Sequence, residues 1–168
     1  MATSVSAILL SAGKSTRMGS TKALLDWHGI PLVKYQVKNL IDGGVSQVIV
    51  VLGHNYKEIS KFICGSQTRF LINNEYHEGK VTSILKGISA VSDASSDVMI
   101  LSVDQPRDHK IIKHLIKSHS DSKSLISIPS NGFKSGHPII FSSKLKSKLL
   151  EISESKKGLK ALINEYRN

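Results

Sequence analysis

Ala7 to Leu25 read AILLSAGKSTRMGSTKALL, an apolar run that passes directly into a small, cationic loop. Val5 to Leu10 have the composition of a strand buried on both faces. The residues that follow bring Gly13 and Gly19, several hydroxyls, and the cations Lys14, Arg17 and Lys22. Glycines let backbone N–H groups turn toward an anion, and the cations neutralise it, so this stretch predicts a grip on a polyphosphate. Gly13-Lys14-Ser15 matches the end of the P-loop pattern G-x-x-x-x-G-K-[ST], but Ile8 stands where its first glycine belongs.

Outward from this loop the chain alternates helix and strand. Val33, Val37, Leu40 and Ile41 fall on one helical face, and Gly43-Gly44 ends that helix before a strand over Gln47 to Leu52. Ile59, Phe62 and Ile63 predict a second helix, followed by a strand over Arg69 to Ile72. Val81, Ile84, Leu85 and Ile88 make the clearest helical stripe, leading to a strand over Val98 to Val103. Asp108 is placed to cap a helix that turns Ile111, Ile112, Leu115 and Ile116 inward. Strands over Leu125 to Ile128 and Pro138 to Phe141 follow, then two basic helices with Leu145, Leu149, Leu159, Leu162 and Ile163. Ser92, Ser95 and Ser96 read as an ordinary turn.

This alternation predicts an α/β fold with a mostly parallel sheet and helices on both faces, because parallel neighbours need crossover connections. Ligands of such sheets bind at the carboxyl ends of the strands. The loops after Leu10, Ile72 and Val103 all leave such ends, so three segments converge on one rim. Asp104 stands at one strand exit, and Pro106 turns the chain away. A hard carboxylate beside a triphosphate suits Mg²⁺, which keeps several waters and takes one or two protein ligands; capping the turn is the other reading of Asp104.

Composition fits one soluble domain over residues 1–168. Apolar residues make up 40% of the chain, and no run approaches the roughly 20 residues of a membrane span. The start of the chain lacks a basic signal-peptide region, Cys64 is the single cysteine, and the cytoplasm is the expected compartment. The net charge of +10 favours an anionic partner. The lysines are spread over helical segments with few aromatics between them, which argues for solvated faces and against nucleic acid. His109, His114 and His119 lie five residues apart and do not share a helical face, which argues against zinc. Trp27 reads as a core or hinge residue.

The loop resembles the signature of the MobA-like nucleotidyltransferases, roughly L-A-A-G-x-S-x-R-M-G-x-x-K-x-L-L, through Leu10, Ser11, Ala12, Gly13, Ser15, Arg17, Met18, Gly19, Lys22, Leu24 and Leu25. The resemblance continues in order through His28 to Leu32, Asn73 to Gly79 with Ser83-Ile84, Val103 to Pro106, and Gly136 to Pro138, covering about residues 5 to 165. The branch it resembles most is the molybdenum cofactor cytidylyltransferases.

That resemblance implies a three-layer Rossmann-like fold of the nucleotide-diphospho-sugar transferase type. It implies Mg²⁺-dependent transfer of a nucleotidyl group, with CTP the expected donor, to a phosphorylated acceptor such as molybdopterin, and a molybdoenzyme as an expected partner. In that reading Lys22 stabilises the α-phosphate, Asp104 holds the metal, and Arg17 with Ser11, Ala12, Gly13, Lys14, Ser15 and Gly19 holds the other phosphates. Lys14 occupies a variable position and reads equally as a surface lysine. Gly79, Thr82 and Ser83 open a helix at the rim and could meet ribose or base, or serve only as its start. His137 could touch the acceptor or pack at the start of its strand. A cytidylyl- or uridylyltransferase acting on a sugar or polyol phosphate, and a weakly catalytic nucleotide-binding relative, are the alternatives. The last follows from one departure: relatives carry a D-I-D-T-P-E-D segment near the C-terminus, whereas here only Glu151, Glu154 and Glu165 follow Asp121.

Overall fold

A computed structural model describes residues 4–14, 20–92, 96–130, 132 and 136–166. Ser15, Arg17 and Gly19 of the first loop, and Ser95, lie outside the described residues.

The first strand, β1 (Val5–Ser11), is buried throughout. A 3-10 turn at Lys22–Leu24 and the short antiparallel pair β2 (Asp26–Trp27) and β3 (Ile30–Pro31) lead into α1 (Leu32–Asp42). Then come β4 (Gln47–Leu52), α2 (Tyr56–Ser60), β5 (Thr68–Ile72), α3 (Lys80–Ser89) and β6 (Asp97–Ser102). The chain continues through α4 (His109–Ser122), β7 (Ile126–Ser127), β8 (Ile139–Phe141), α5 (Lys146–Leu150) and α6 (Leu159–Glu165).

Six strands form one sheet in the order β5-β4-β1-β6-β8-β7. β5, β4, β1 and β6 are mutually parallel, while β8 runs antiparallel to both β6 and β7. From β1 the chain builds outward first through β4 and β5, then returns to place β6 on the opposite side. The junction between β1 and β6 is therefore the switch point, where an open parallel sheet leaves a crevice at its carboxyl edge.

Alternation along the strands divides the core into two layers. Ala7, Leu9, Val48, Val50, Met99 and Leu101 face α1 and α4 through Val33, Leu40, Ile112 and Leu115. Ile8, Leu10, Ile49, Val51, Val98 and Ile100 face α3, α5 and α6 through Ile84, Ile88, Leu149 and Leu162. The expected three-layer arrangement is thus present.

Several local expectations change. Phe62 and Ile63 lie beyond α2, which ends at Ser60, and only half-bury against the core. Ile111 is 45% exposed and does not join Ile112 and Leu115 inside. Trp27 is not core: it is 39% exposed on β2, with its ring edge against Tyr35. Ser96 is fully buried, 3.0 Å from the Ser6 hydroxyl, so it belongs to the sheet's amino edge instead of an open turn.

Candidate active site

Lys22 owes its position to the residue after it. Ala23 is buried in the α1 layer, and Leu24 N–H closes the turn on Thr21 O at 2.9 Å, so the turn is pinned while Lys22 projects from it. Thr21 is itself held by Asn55, whose Nδ2 donates to Thr21 Oγ1 at 3.0 Å.

Asp104 is fixed from the opposite strand. Val103 N–H extends the ladder to Leu10 O at 3.0 Å, and Gln105 N–H turns back to Ser102 O at 3.0 Å. The fully buried Gln36 of α1 donates to Val103 O at 3.2 Å and accepts from Arg107 N–H at 3.3 Å, bracketing the loop that carries Asp104. Arg107 Nε donates to His137 O at 2.7 Å, tying that loop to the chain entering β8. Asp108 caps α4 as expected, accepting from Lys110 N–H at 2.8 Å.

These two anchored residues meet. Lys22 Nζ donates to Asp104 Oδ2 at 2.8 Å, with the side chains 33% and 43% exposed. Burial would raise the Asp104 carboxyl, but the Lys22 hydrogen bond and charge, the local backbone, and the charge of Lys80 outweigh it and hold its pKa below the usual value.

The pair lies in a cavity of about 460 Å³ at the switch point. The first loop contributes Leu10, Ser11, Ala12 and Gly13, the 3-10 turn Thr21, Lys22 and Ala23, and the β6 exit Ser102 to Gln105. The segment after β5 adds Tyr76, His77, Gly79, Lys80 and Ser83. All three loops expected at the rim therefore line one cavity. Lys14 and His137 are not among its lining residues. Lys14 Nζ sits 6.0 Å from the Tyr76 ring centroid, and the His137 ring turns toward Ile100 O, with Nδ1 3.4 Å away. Burial first, then the charge of Lys80, lowers the His137 pKa.

Ser83 lines the cavity, but its hydroxyl accepts from the buried Asn73 Nδ2 at 2.9 Å. Asn73 also donates to Thr82 Oγ1 at 2.9 Å, so the Asn73 motif locks the α3 entrance. Ser11 is different: its hydroxyl is buried and has no hydrogen-bond partner among the described residues. An unmet buried hydroxyl costs roughly 1–3 kcal/mol, which a polar ligand atom would recover.

Sequence reasoning missed several participants. Tyr76 packs so tightly on Gly53 that a Cβ there would lie 2.6 Å from Tyr76 Cγ and 2.7 Å from Ala12 O. Lys80 Nζ donates to Ser102 Oγ at 2.8 Å. Glu154, noted only as a scattered acid, accepts from Val81 N–H at 2.8 Å and so caps α3 from the C-terminal segment. The aromatic at position 76 and the lysine opening the clearest helical stripe were the available signals for the first two; nothing local signalled Glu154.

Asp104 is the only acidic side chain among the described residues lining the cavity, and no group of three His, Cys, Asp or Glu residues is arranged to hold a metal among the described residues. One carboxylate fits a hard, heavily hydrated cation that takes its other ligands from phosphate, and does not fit a zinc site.

The fold and the converging loops define an α/β protein with a polar-lined cavity at the switch point. A family model described as MobA-like NTP transferase domain matches residues 7–168, and the chain belongs to that family. Among curated relatives, nicotine blue oxidoreductase of Paenarthrobacter nicotinovorans is 26% identical over 169 residues, covering 96% of this chain and 82% of its own. The bifunctional protein GlmU of Anaeromyxobacter dehalogenans is 36% identical over 110 residues, covering 62% of this chain; the match spans only 22% of GlmU. Among solved structures, Rv0371c from Mycobacterium tuberculosis superposes with a TM-score of 0.83 at 21% identity, covering 98% of this chain and 84% of that one. A nucleotidyl transferase from Methanothermobacter thermautotroptrophicus gives 0.77 at 23% identity, covering 89% and 76%. Rv0371c has also been solved as a complex with manganese.

Proposed function

We propose that this chain transfers a nucleotidyl group from an NTP, with CTP the donor, to a phosphorylated acceptor of the molybdopterin type, releasing pyrophosphate. The observation that carries the reading is the Lys22–Asp104 contact inside the switch-point cavity, which pairs a cation for developing phosphate charge with a carboxylate for a divalent metal.

Asp104 would hold Mg²⁺ together with the donor's phosphates and waters; when bound, the ion screens phosphate charge and assists departure of pyrophosphate. Lys22, released from Asp104, then faces the α-phosphate. An oxygen of the acceptor's phosphate attacks the α-phosphorus, the bond from that phosphorus to the α,β-bridging oxygen breaks, and pyrophosphate leaves. Backbone groups of Ala12 and Gly13, with Lys14, Ser15, Arg17 and Gly19, hold the β- and γ-phosphates. The buried Ser11 hydroxyl supplies a further polar contact. Gly79 and Ser83 face the nucleoside, and His137 acts from behind the cavity wall by supporting the Asp104 loop through Arg107. The proposed compartment is the cytoplasm, and a molybdoenzyme is the proposed recipient of the product.

A second reading rests on the oxidoreductase name carried by the relative that covers 96% of this chain. In it the same cavity would hold an anionic substrate of a redox reaction. A screen of four NTPs with Mg²⁺ against molybdopterin and a panel of phosphorylated acceptors separates the two. Acceptor-dependent pyrophosphate release supports transfer; its absence with every donor, alongside enzyme-dependent reduction of a redox dye by an added reduced nicotinamide, supports the second reading.

A further inference from the structure

We propose that Gln36 is a positioning residue for the metal: from inside the core it fixes the backbone that carries Asp104, and so sets the affinity of the cavity for a divalent cation. The inference rests on the nucleotidyl-transfer reading above.

Gln36 breaks the pattern of its own helix. Leu32, Val33, Val37 and Leu40 make the buried face of α1, and Gln36 stands among them with no exposed surface. A buried amide costs free energy unless its donors and acceptor are met, whereas an apolar side chain of similar size would pack there without that cost. A break in an otherwise consistent pattern points to a requirement other than packing.

What the amide meets is the chain on both sides of Asp104. Its Nε2 donates to Val103 O at 3.2 Å, with Ser102 O at 3.5 Å, and its Oε1 accepts from Arg107 N–H at 3.3 Å. Ser102 ends β6, and Arg107 lies just before the start of α4, so one side chain bridges the two ends of the loop that carries Asp104. Asn39, also buried on α1, extends the support by accepting from His109 N–H at 2.9 Å. Gln36 itself does not line the cavity, whereas Asp104 does.

The metal is what makes this support matter. Mg²⁺ demands near-ideal octahedral geometry, and a half-exposed carboxylate on a loop has more freedom than that allows. Among the described residues Asp104 is the only acidic side chain lining the cavity, so no second carboxylate there corrects an error in its position. Removing a group that orients a metal ligand typically weakens metal affinity by about 10–100-fold.

The test uses the full chain and a non-hydrolysable α,β-methylene NTP, titrated calorimetrically without metal and again with saturating Mg²⁺. The ratio of the two dissociation constants reads the metal's contribution. Q36M, which fills the same space without an amide, is expected to reduce that ratio about tenfold while metal-free binding of the analogue is unchanged. L40A, which empties space one turn further along the same helix, lowers stability in urea but keeps the parent's ratio. Q36N has an amide one methylene too short to bridge both sides; it is expected to lose part of the enhancement, and it carries the test if Q36M does not fold. A parent-like ratio in either folded Gln36 variant overturns the proposal. Equal losses in Q36M and L40A also overturn it, by reducing the effect to general loosening of the core. A parent that binds no analogue, or binds it without help from Mg²⁺, defeats the transferase reading itself, and that failure is seen before any variant is made.

Discussion

The Lys22 ammonium and the Asp104 carboxylate, 82 positions apart in sequence, meet at 2.8 Å where β1 and β6 end side by side. The pair is half-exposed, so its net contribution to stability is small. In the proposed mechanism the pair sets up a competition, with one carboxylate shared between a resident cation and an incoming metal.

Lys22→Ala should therefore separate two effects. Turnover should fall about a hundredfold or more, because a cation placed for developing charge is lost, while NTP affinity falls much less. Mg²⁺ should bind the nucleotide-free variant more tightly than the parent, since Asp104 has lost its competitor. Separate measurement of kcat, NTP Kd and Mg²⁺ Kd checks this, and ordinary turnover in the variant would remove Lys22 from the mechanism.

Asp104→Asn keeps the shape and removes the charge. Mg²⁺-dependent NTP binding should weaken, and metal-free NTP binding should stay near the parent's value. Because the Asp104 pKa is held below the usual carboxylate value, the Mg²⁺ dependence of the parent should persist down to mildly acidic pH. Calorimetric titrations with and without metal decide the matter; identical Mg²⁺ dependence in both proteins would contradict the assignment.

Away from the site, His119 Nε2 lies 3.3 Å from Asp97 Oδ2, with the two side chains 4% and 6% exposed. His119 Nδ1 is 2.7 Å from Ser127 Oγ, and Asp97 Oδ1 accepts from Ser143 N–H, also at 2.7 Å. Burial outweighs the attraction of Asp97 and lowers the His119 pKa. The unfolded chain then binds a proton at higher pH than the native one, so stability is full above the ordinary histidine pKa of about 6.5 and declines as pH falls below it. His137 is shifted in the same direction and adds to this trend. Urea unfolding between pH 8 and 5 should show the decline, and His119→Gln should reduce its slope. An unchanged slope would mean that His119 is not the responsible group.

Glu154 caps α3 across 73 positions of sequence. Glu154→Ala should lower stability by about 1 kcal/mol, the usual cost of a lost N-cap, whereas Glu154→Gln keeps an acceptor and should lose much less. Thermal unfolding of the two variants makes the comparison. Equal losses would show that charge, not the hydrogen bond, holds the helix start.

What the sequence disclosed followed from local patterning. Ile8 and Leu10 alternate with Ala7 and Leu9 between two core layers, and a strand buried on both faces reads as an unbroken apolar run. Gln47–Leu52 was legible to the residue for the same reason. The rim was legible because strand exits carry recognisable turn and polar residues, as at Gly13 and Asp104. Lys80 and Glu154 were hidden because their roles arise from contacts that only the folded chain creates. Trp27 misled because aromatic bulk favours burial on average, while its two-residue strand offers no second layer to cover it.

If the cavity holding Lys22 and Asp104 performs nucleotidyl transfer, the fate of the α-phosphate reports it. With α-³²P-labelled CTP, Mg²⁺ and molybdopterin, the label should appear in the acceptor product while pyrophosphate is released unlabelled, and Lys22→Ala should suppress both together. Label that stays in CTP, or product formation undiminished in Lys22→Ala, would show that this cavity does not carry out the transfer.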